Sequence, residues 1–280
     1  MIEIGRFNEL EILRLTSVGL YLGDESGEDI LLPNKYCPET YEIGDMIEVF
    51  VYRDYDERKI ATNIIPKIFL HEFALLECVT VSEFGAFLDW GMEKHLMVPF
   101  REQRKKLEEG RWYVVYLDID EKTDRLYASN KLNRFLQNEE LTVELNQEVG
   151  LVVMSQSPMG YTVIVEHEHK GLVYDNEVFT ELNVGDVITG YVRAIREDNK
   201  LDISLHPIGY VNAKDHNCEI IYEELRVHSG FLPLTDKSSP QVISEYFGIS
   251  KKAFKKAIGA LYKERKIEIG PKGISLADKE

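Results

Sequence analysis

Cysteine is scarce in this sequence: Cys37, Cys78 and Cys218 lie far apart, and no Cys-x-x-Cys pair occurs. That spacing argues against a disulfide framework, a zinc ribbon or a dithiol redox site, and leaves the thiols as small buried or half-buried hydrophobes. No Gly-x-x-x-x-Gly-Lys loop is present to cradle a nucleotide phosphate. No apolar run approaches the length needed to cross a bilayer. The opening stretch, MIEIGRFNEL, has neither the basic start nor the apolar centre of a signal peptide. A cytoplasmic chain with no membrane partner is therefore expected. Positive charge is also in short supply, with 33 Lys and Arg against 49 Asp and Glu, for a net charge of −16. Such a balance favours solubility and works against a broad nucleic-acid surface, so any such surface must be local.

What is present is repetition. The 280 residues, 44% hydrophobic and 29% charged, are those of an ordinary globular protein with room for two to four small domains. Three segments align without a gap: 41–63, 107–130 and 182–205, anchored on Gly44, Gly110 and Gly185. Sixteen residues after each anchor stands a closing apolar residue, Ile60, Leu126 or Leu201. Twenty-five residues before each anchor stands another glycine, Gly19, Gly85 or Gly160. Eleven residues before it come Pro33, Pro99 and Tyr174, each ending a short apolar run.

Within each unit, runs such as MIEVFVYR, WYVVYLDI and VITGYVRAI are rich in β-branched and aromatic residues, while DYDERK, DEKTDR and REDNK read as hairpin turns. Five short strands in roughly 65 to 75 residues fit a closed barrel of the OB type. The inner glycine is then expected to bulge or kink a sharply bent strand. In the second unit, VSEFGAFLDWG, that glycine separates Phe84 from Phe87. If Gly85 resets the alternation, both rings face outward as a platform for unpaired bases, worth about 1–3 kcal/mol per stacked base. The alternative packs one ring in the core and sets the other at a barrel end.

VTVSEFGAFLDW, KHLMVPF and EEGRWYVVYLDIDEKTDRLYAS resemble the RNA-binding OB-fold domain named after ribosomal protein S-one. The stretch GLVYDNEVFTELNVGDVITGYVRAIREDNKLDISL is similar to its second half, and the first repeat is the most divergent. Three such barrels followed by a small helical domain resemble the conserved virulence factor B (CvfB) family of bacterial RNA-binding proteins over essentially the whole chain. The resemblance implies RNA contact at two Phe positions, at a His closing the GLV run, and at charged residues around the last hairpin. Here both Phe positions are matched only by Phe84 and Phe87. The first repeat offers Val18 and Tyr21, and the third Met159 and Thr162 with Tyr161 between them. At the His position stand Pro33, Pro99 and Tyr174, so only the third repeat keeps a ring there.

One cation recurs. Fifteen residues after each anchor come Lys59, Arg125 and Lys200, placed for a phosphate contact or simply solvated beside acidic turns. Residues 1–68 carry 7 basic and 14 acidic side chains, residues 69–140 carry 10 and 14, and residues 141–211 carry 4 and 11. Only the second repeat combines Phe84 and Phe87 with Arg125, Tyr127 and the REQRKK run that includes Arg101 and Lys105. That run also reads as an exposed helical turn.

Beyond about residue 212 the period changes. Ile220, Ile221, Leu225 and Val227 lie in a helical arrangement ending near Gly230; Ser239-Pro240 opens a second helix ending at Gly248; Ser250 caps a third. KIEIGPKGISL then reads as two strands about a Gly270–Gly273 turn that contains Lys272. Three helices and a hairpin predict a winged helix-turn-helix. On the third helix Phe254, Ala257, Ile258 and Leu261 form the apolar stripe, and Lys252, Lys255, Lys256 and Lys263 gather opposite. Residues 236–280 hold 10 basic and 6 acidic side chains, a basic island in an acidic chain. A lysine face without Arg, Asn or Gln suits phosphates rather than base edges, or is a solvated surface.

The expected architecture is mainly β with a small α+β end: OB barrels at 1–66, 67–138 and 139–211, then a winged helix at 212–280. His167 and His169 fall on one face of a strand reading of EHEHK, but no further ligands support a metal. No catalytic constellation stands out, so neither an enzyme nor a cofactor is expected. Single-stranded RNA is the expected partner, and the resemblance implies post-transcriptional regulation, including of virulence genes. A scaffold whose winged helix docks an acidic protein or the ribosome is the alternative. A duplex-DNA regulator is the third reading.

Overall fold

The computed structural model of the chain describes residues 1–178, 181–207 and 213–277. The expected boundary at 211/212 lies outside the described residues. The β-patterned runs form three sets of five strands. The first comprises β1 (Phe7–Thr16), β2 (Gly19–Gly23), β3 (Asp29–Pro33), β4 (Met46–Arg53) and β5 (Lys59–Thr62), closed in the order β1-β2-β3-β5-β4. The second comprises β6 (Phe73–Val81), β7 (Gly85–Asp89), β8 (Leu96–Pro99), β9 (Trp112–Asp120) and β10 (Arg125–Ser129). Its order is the same, and β8 lies beside β10 as β3 lies beside β5, although no ladder is formed across that seam. The third, β11 (Glu148–Ser157), β12 (Gly160–Val165), β13 (His169–Tyr174), β14 (Val187–Ile195) and β15 (Leu201–Ser204), is closed again.

The repeated residues have local causes. Gly44, Gly110 and Gly185 all adopt positive φ in the turn before the fourth strand of their set. The inner glycines act differently from the expected kink. A Cβ at Gly19 would lie 2.1 Å from the Leu32 carbonyl oxygen, and one at Gly85 would lie 2.4 Å from that of Val98. They permit close approach of neighbouring backbones. The extra residue that bends the wall sits in the preceding strand, between Ile12 and Arg14 in β1 and between Cys78 and Thr80 in β6. Gly19→Ala is expected to lower the unfolding free energy by more than about 1 kcal/mol, read as an earlier urea midpoint. An unchanged midpoint contradicts the close-approach account.

Two compact units emerge, one built on residues 1–140 and the other carrying most of the third barrel and the winged helix. In the first unit the second half of β4, Val49 to Tyr52, is buried on both faces. Val49 and Val51 enter the first barrel's core, whereas Phe50 and Tyr52 enter the core of the second. Phe50 and Tyr52 meet Trp90 edge-on at 6.0 and 6.3 Å between ring centroids. Aromatic pairs of this geometry add to area burial, so the two barrels share one hydrophobic seam.

The C-terminal part contains α1 (Ala213–Val227), β16 (Phe231–Leu232), α2 (Pro240–Phe247), α3 (Lys251–Lys263), β17 (Ile267–Gly270) and β18 (Gly273–Leu276), with sheet order β16-β18-β17. Ser239 Oγ accepts a hydrogen bond from the Val242 N–H at 3.3 Å, and Ser250 Oγ accepts one from the Ala253 N–H at 3.2 Å. Gly248 ends α2 with φ of 66°. Ile221, Leu225, Ile243, Phe254, Ile258, Leu261 and Ile274 share one core. Val227 departs from expectation: it is 76% exposed, because the buried stripe runs through Cys218, Ile221 and Leu225 and turns away before it. The two-residue β16 is too short to leave a periodic signal.

Candidate nucleic-acid interface

Phe84 and Phe87 reach the surface by different routes. Phe84 is not on a strand; it lies in the turn before β7, where its N–H donates to Ser82 Oγ at 3.1 Å. The ring is 66% exposed. From Gly85 onward β7 alternates without interruption: Ala86 and Leu88 enter the core and Phe87 lies half-buried on the outer face, opposite Met97. The outward pair thus comes from a turn beside a regular strand, and Gly85 does not reset the alternation.

Phe87 lines a cleft of about 590 Å³ in the first unit. Arg101, Arg125 and Tyr127 line it from the second barrel, and Tyr52, Arg53, Tyr55 and Glu57 from the first. Phe84 and Lys105 lie outside the lining, although both are exposed. Arg101 projects from the short 3-10 turn Phe100–Glu102 and stands 3.8 Å from the Asp120 carboxylate. The Tyr127 hydroxyl donates to Asp118 at 2.7 Å; burial first, and that bond second, push its pKa upward. Glu57 accepts from Lys94 at 3.0 Å and from Arg125 at 3.1 Å. Burial works against its ionisation, but Lys94 and Arg125 outweigh it and hold the carboxyl below its usual range. Glu57 is therefore an anion at neutral pH.

The remaining candidates are dispersed. Tyr21 lies beneath Arg14, whose guanidinium carbon is 4.1 Å from the ring centroid. Lys59 pairs with Glu28 at 2.6 Å. Tyr161 is only 8% exposed and accepts a hydrogen bond from Gln156, so it offers no open ring face. The Tyr174 hydroxyl meets Arg196, and Lys200 pairs with Asp198 in its own hairpin. Lys252, Lys255, Lys256 and Lys263 are all exposed on α3, with Lys255 3.7 Å from Asp236; Lys272 is exposed in the wing turn. The EHEHK run is not one strand. Glu166 and His167 take left-handed φ of 50° and 55° and form the turn into β13, which separates His167 from His169. Among the described residues no group of three or more His, Cys, Asp or Glu is placed to hold a metal.

Sequence reasoning missed Arg53, Tyr55, Glu57 and Lys94. None carries a motif, and each gains its position only because the first barrel's last hairpin lies over the second barrel.

Five-stranded barrels with a ring-and-cation face, followed by a winged helix, define a protein assembled from nucleic-acid-binding domain types rather than enzymatic ones. The chain belongs to the conserved virulence factor B family. Residues 219–276 match the CvfB-like winged helix domain, and residues 4–63 match the S1 domain. The S1 match thus falls on the first repeat, the one with Val18 and Tyr21 at the ring positions. The uncharacterized protein YitL of Bacillus subtilis is 32% identical over 92% of this chain and 88% of its own length. Conserved virulence factor B of Staphylococcus epidermidis is 26% identical over 99% of this chain and 95% of its own. A crystal structure of a multidomain protein with nucleic acid binding domains from Streptococcus pneumoniae is 24% identical, covers 98% of each chain and superposes with a TM-score of 0.44. Among the described residues no helix is long and apolar enough to cross a membrane.

Proposed function

We propose that this protein binds single-stranded RNA, stacking bases on Phe84 and Phe87 and holding phosphates with Arg101, Arg125 and the α3 lysines. The observation that carries the reading is the exposed Phe84 ring beside a half-buried Phe87, next to a cleft with cations on its walls. Rings supply sequence-tolerant stacking and cations track the backbone, the two components of single-strand binding. The lysines of α3 present charge without a base-reading fork, which suits a backbone tether. We take the chain as three OB barrels and a winged helix with limits at 66/67, 138/139 and 211/212. Weak sites on linked units multiply affinity through effective concentration. The relatives' printed name, conserved virulence factor B, ties the reading to virulence; post-transcriptional regulation, including of virulence genes, in the cytoplasm is the role we propose for it.

Fluorescence anisotropy with a short unstructured RNA and a DNA duplex of the same length tests it. The single strand is expected to bind more tightly, with log K falling against log salt by about 0.7 for each phosphate neutralised. Equal or tighter binding of the duplex overturns the reading. So does an absence of RNA binding together with a protein or ribosome partner whose capture survives nuclease.

A further inference from the structure

The turn joining β4 to β5 of the first barrel is pinned to the second barrel by directed bonds. Arg53 Nε donates to the Asp124 carbonyl oxygen at 3.0 Å and its Nη2 to the Asp124 carboxylate at 3.2 Å. Lys94 Nζ donates to the Asp54 carbonyl oxygen at 2.8 Å. With its ends held, the turn carries Glu57 to the wall of the cleft, and φ of 62° at that residue completes the reversal. Its two carboxylate oxygens are divided between two cations: Oε1 faces Lys94 at 3.0 Å and Oε2 faces Arg125 at 3.1 Å. A phosphodiester has the same arrangement, two anionic oxygens shared between two basic side chains. Phe87 and Tyr127 line the same cleft as Arg125. The volume of about 590 Å³ falls within the range of small-molecule sites and admits one nucleotide.

We propose that this cleft seats one nucleotide of a bound strand, base against Phe87 and phosphate on Arg125 and Lys94, and that Glu57 holds the phosphate position in the free protein. The inference rests on the single-stranded RNA reading above and gives the first barrel a part in it. That barrel's open ring is Tyr55, tethered through its hydroxyl to the Glu93 carbonyl oxygen at 2.7 Å, and the barrel contributes a jaw and an internal competitor. An entering phosphate exchanges with the Glu57 carboxylate, so the cations change partner and few counterions are released. Removing the carboxylate charge frees both cations for RNA.

The test compares Glu57→Gln with Glu48→Gln in the full chain, titrating a short unstructured RNA at several salt concentrations. Glu48 lies exposed on β4 and controls for the change in net charge. Glu57→Gln is expected to raise affinity about threefold or more. Its salt slope should steepen by about 0.7 for each cation released. Glu48→Gln should show neither change. Equal behaviour of the two variants overturns the inference, as does a Glu57→Gln that lowers the urea midpoint while leaving affinity unchanged. RNA binding that depends on Phe84 but ignores Glu57 sinks this inference alone. Wild-type protein that binds no single strand sinks both it and the reading on which it rests.

Discussion

Alanine at both Phe84 and Phe87 is expected to weaken binding of an unstructured RNA by at least about 30-fold. Each stacked base is worth about 1–3 kcal/mol, and each factor of ten in affinity corresponds to about 1.4 kcal/mol. Phe84 dominates if the strand runs over the turn, because it is more exposed than Phe87. Phe87 dominates if a base enters the cleft, because its half-buried ring lines that wall. The single substitutions separate the two paths. Fold loss does not confound the experiment for Phe84, which contributes little buried area; for Phe87 the urea midpoint is measured alongside. An affinity within about twofold of wild type in the double variant contradicts stacking at this face, since uncoupled rings would then contribute less than one weak contact.

Phe254→Ala is expected to destabilise the winged helix by about 3–5 kcal/mol, the cost of emptying a fully buried aromatic site. Phe254 packs at 5.4 Å from the Phe247 ring and sits in a core whose buried members, among the described residues, run from Cys218 to Ile274. The first two barrels have cores built from other residues. The helical signal should therefore be lost at lower urea than the β signal, giving two transitions. In the same variant the salt slope of RNA binding should flatten, because the α3 lysines lose their common face. A single transition at the wild-type midpoint contradicts an independent core. An unchanged slope with a melted helix removes the lysines from the binding path.

The fold was largely legible because its signals are local. Ser239, Pro240, Gly248 and Ser250 announced both ends of α2 and the start of α3 through capping chemistry, and the structure shows those bonds. The glycine spacing announced three like units, and the strands follow it. What each glycine does was harder to read. The sequence pattern suggested a kink at Gly85, whereas the extra residue lies between Cys78 and Thr80 on the neighbouring strand and Gly85 serves contact with Val98. A bulge and a close approach both leave a glycine near an alternation break, so pattern alone does not separate them. Likewise EHEHK alternates as a strand does, and only the backbone angles of Glu166 and His167 reveal the turn.

The candidate site was legible in part. Phe84, Phe87, Arg101, Arg125 and Tyr127 belong to one repeat, and a repeat keeps its own residues together. Glu57 and Lys94 had no such frame.

The sequence by itself determined the strands of the repeats' longer runs, the helix caps and the apolar stripe of α3, since these depend on periodicity and backbone preference over a few residues. Only the tertiary structure decided that Glu57 meets Arg125 across a separation of 68 residues. That pairing requires two barrels held in one orientation, and the orientation comes from Phe50 and Tyr52 leaving their own barrel to pack against Trp90. Packing between domains depends on the shape of both surfaces at once, which no local pattern encodes.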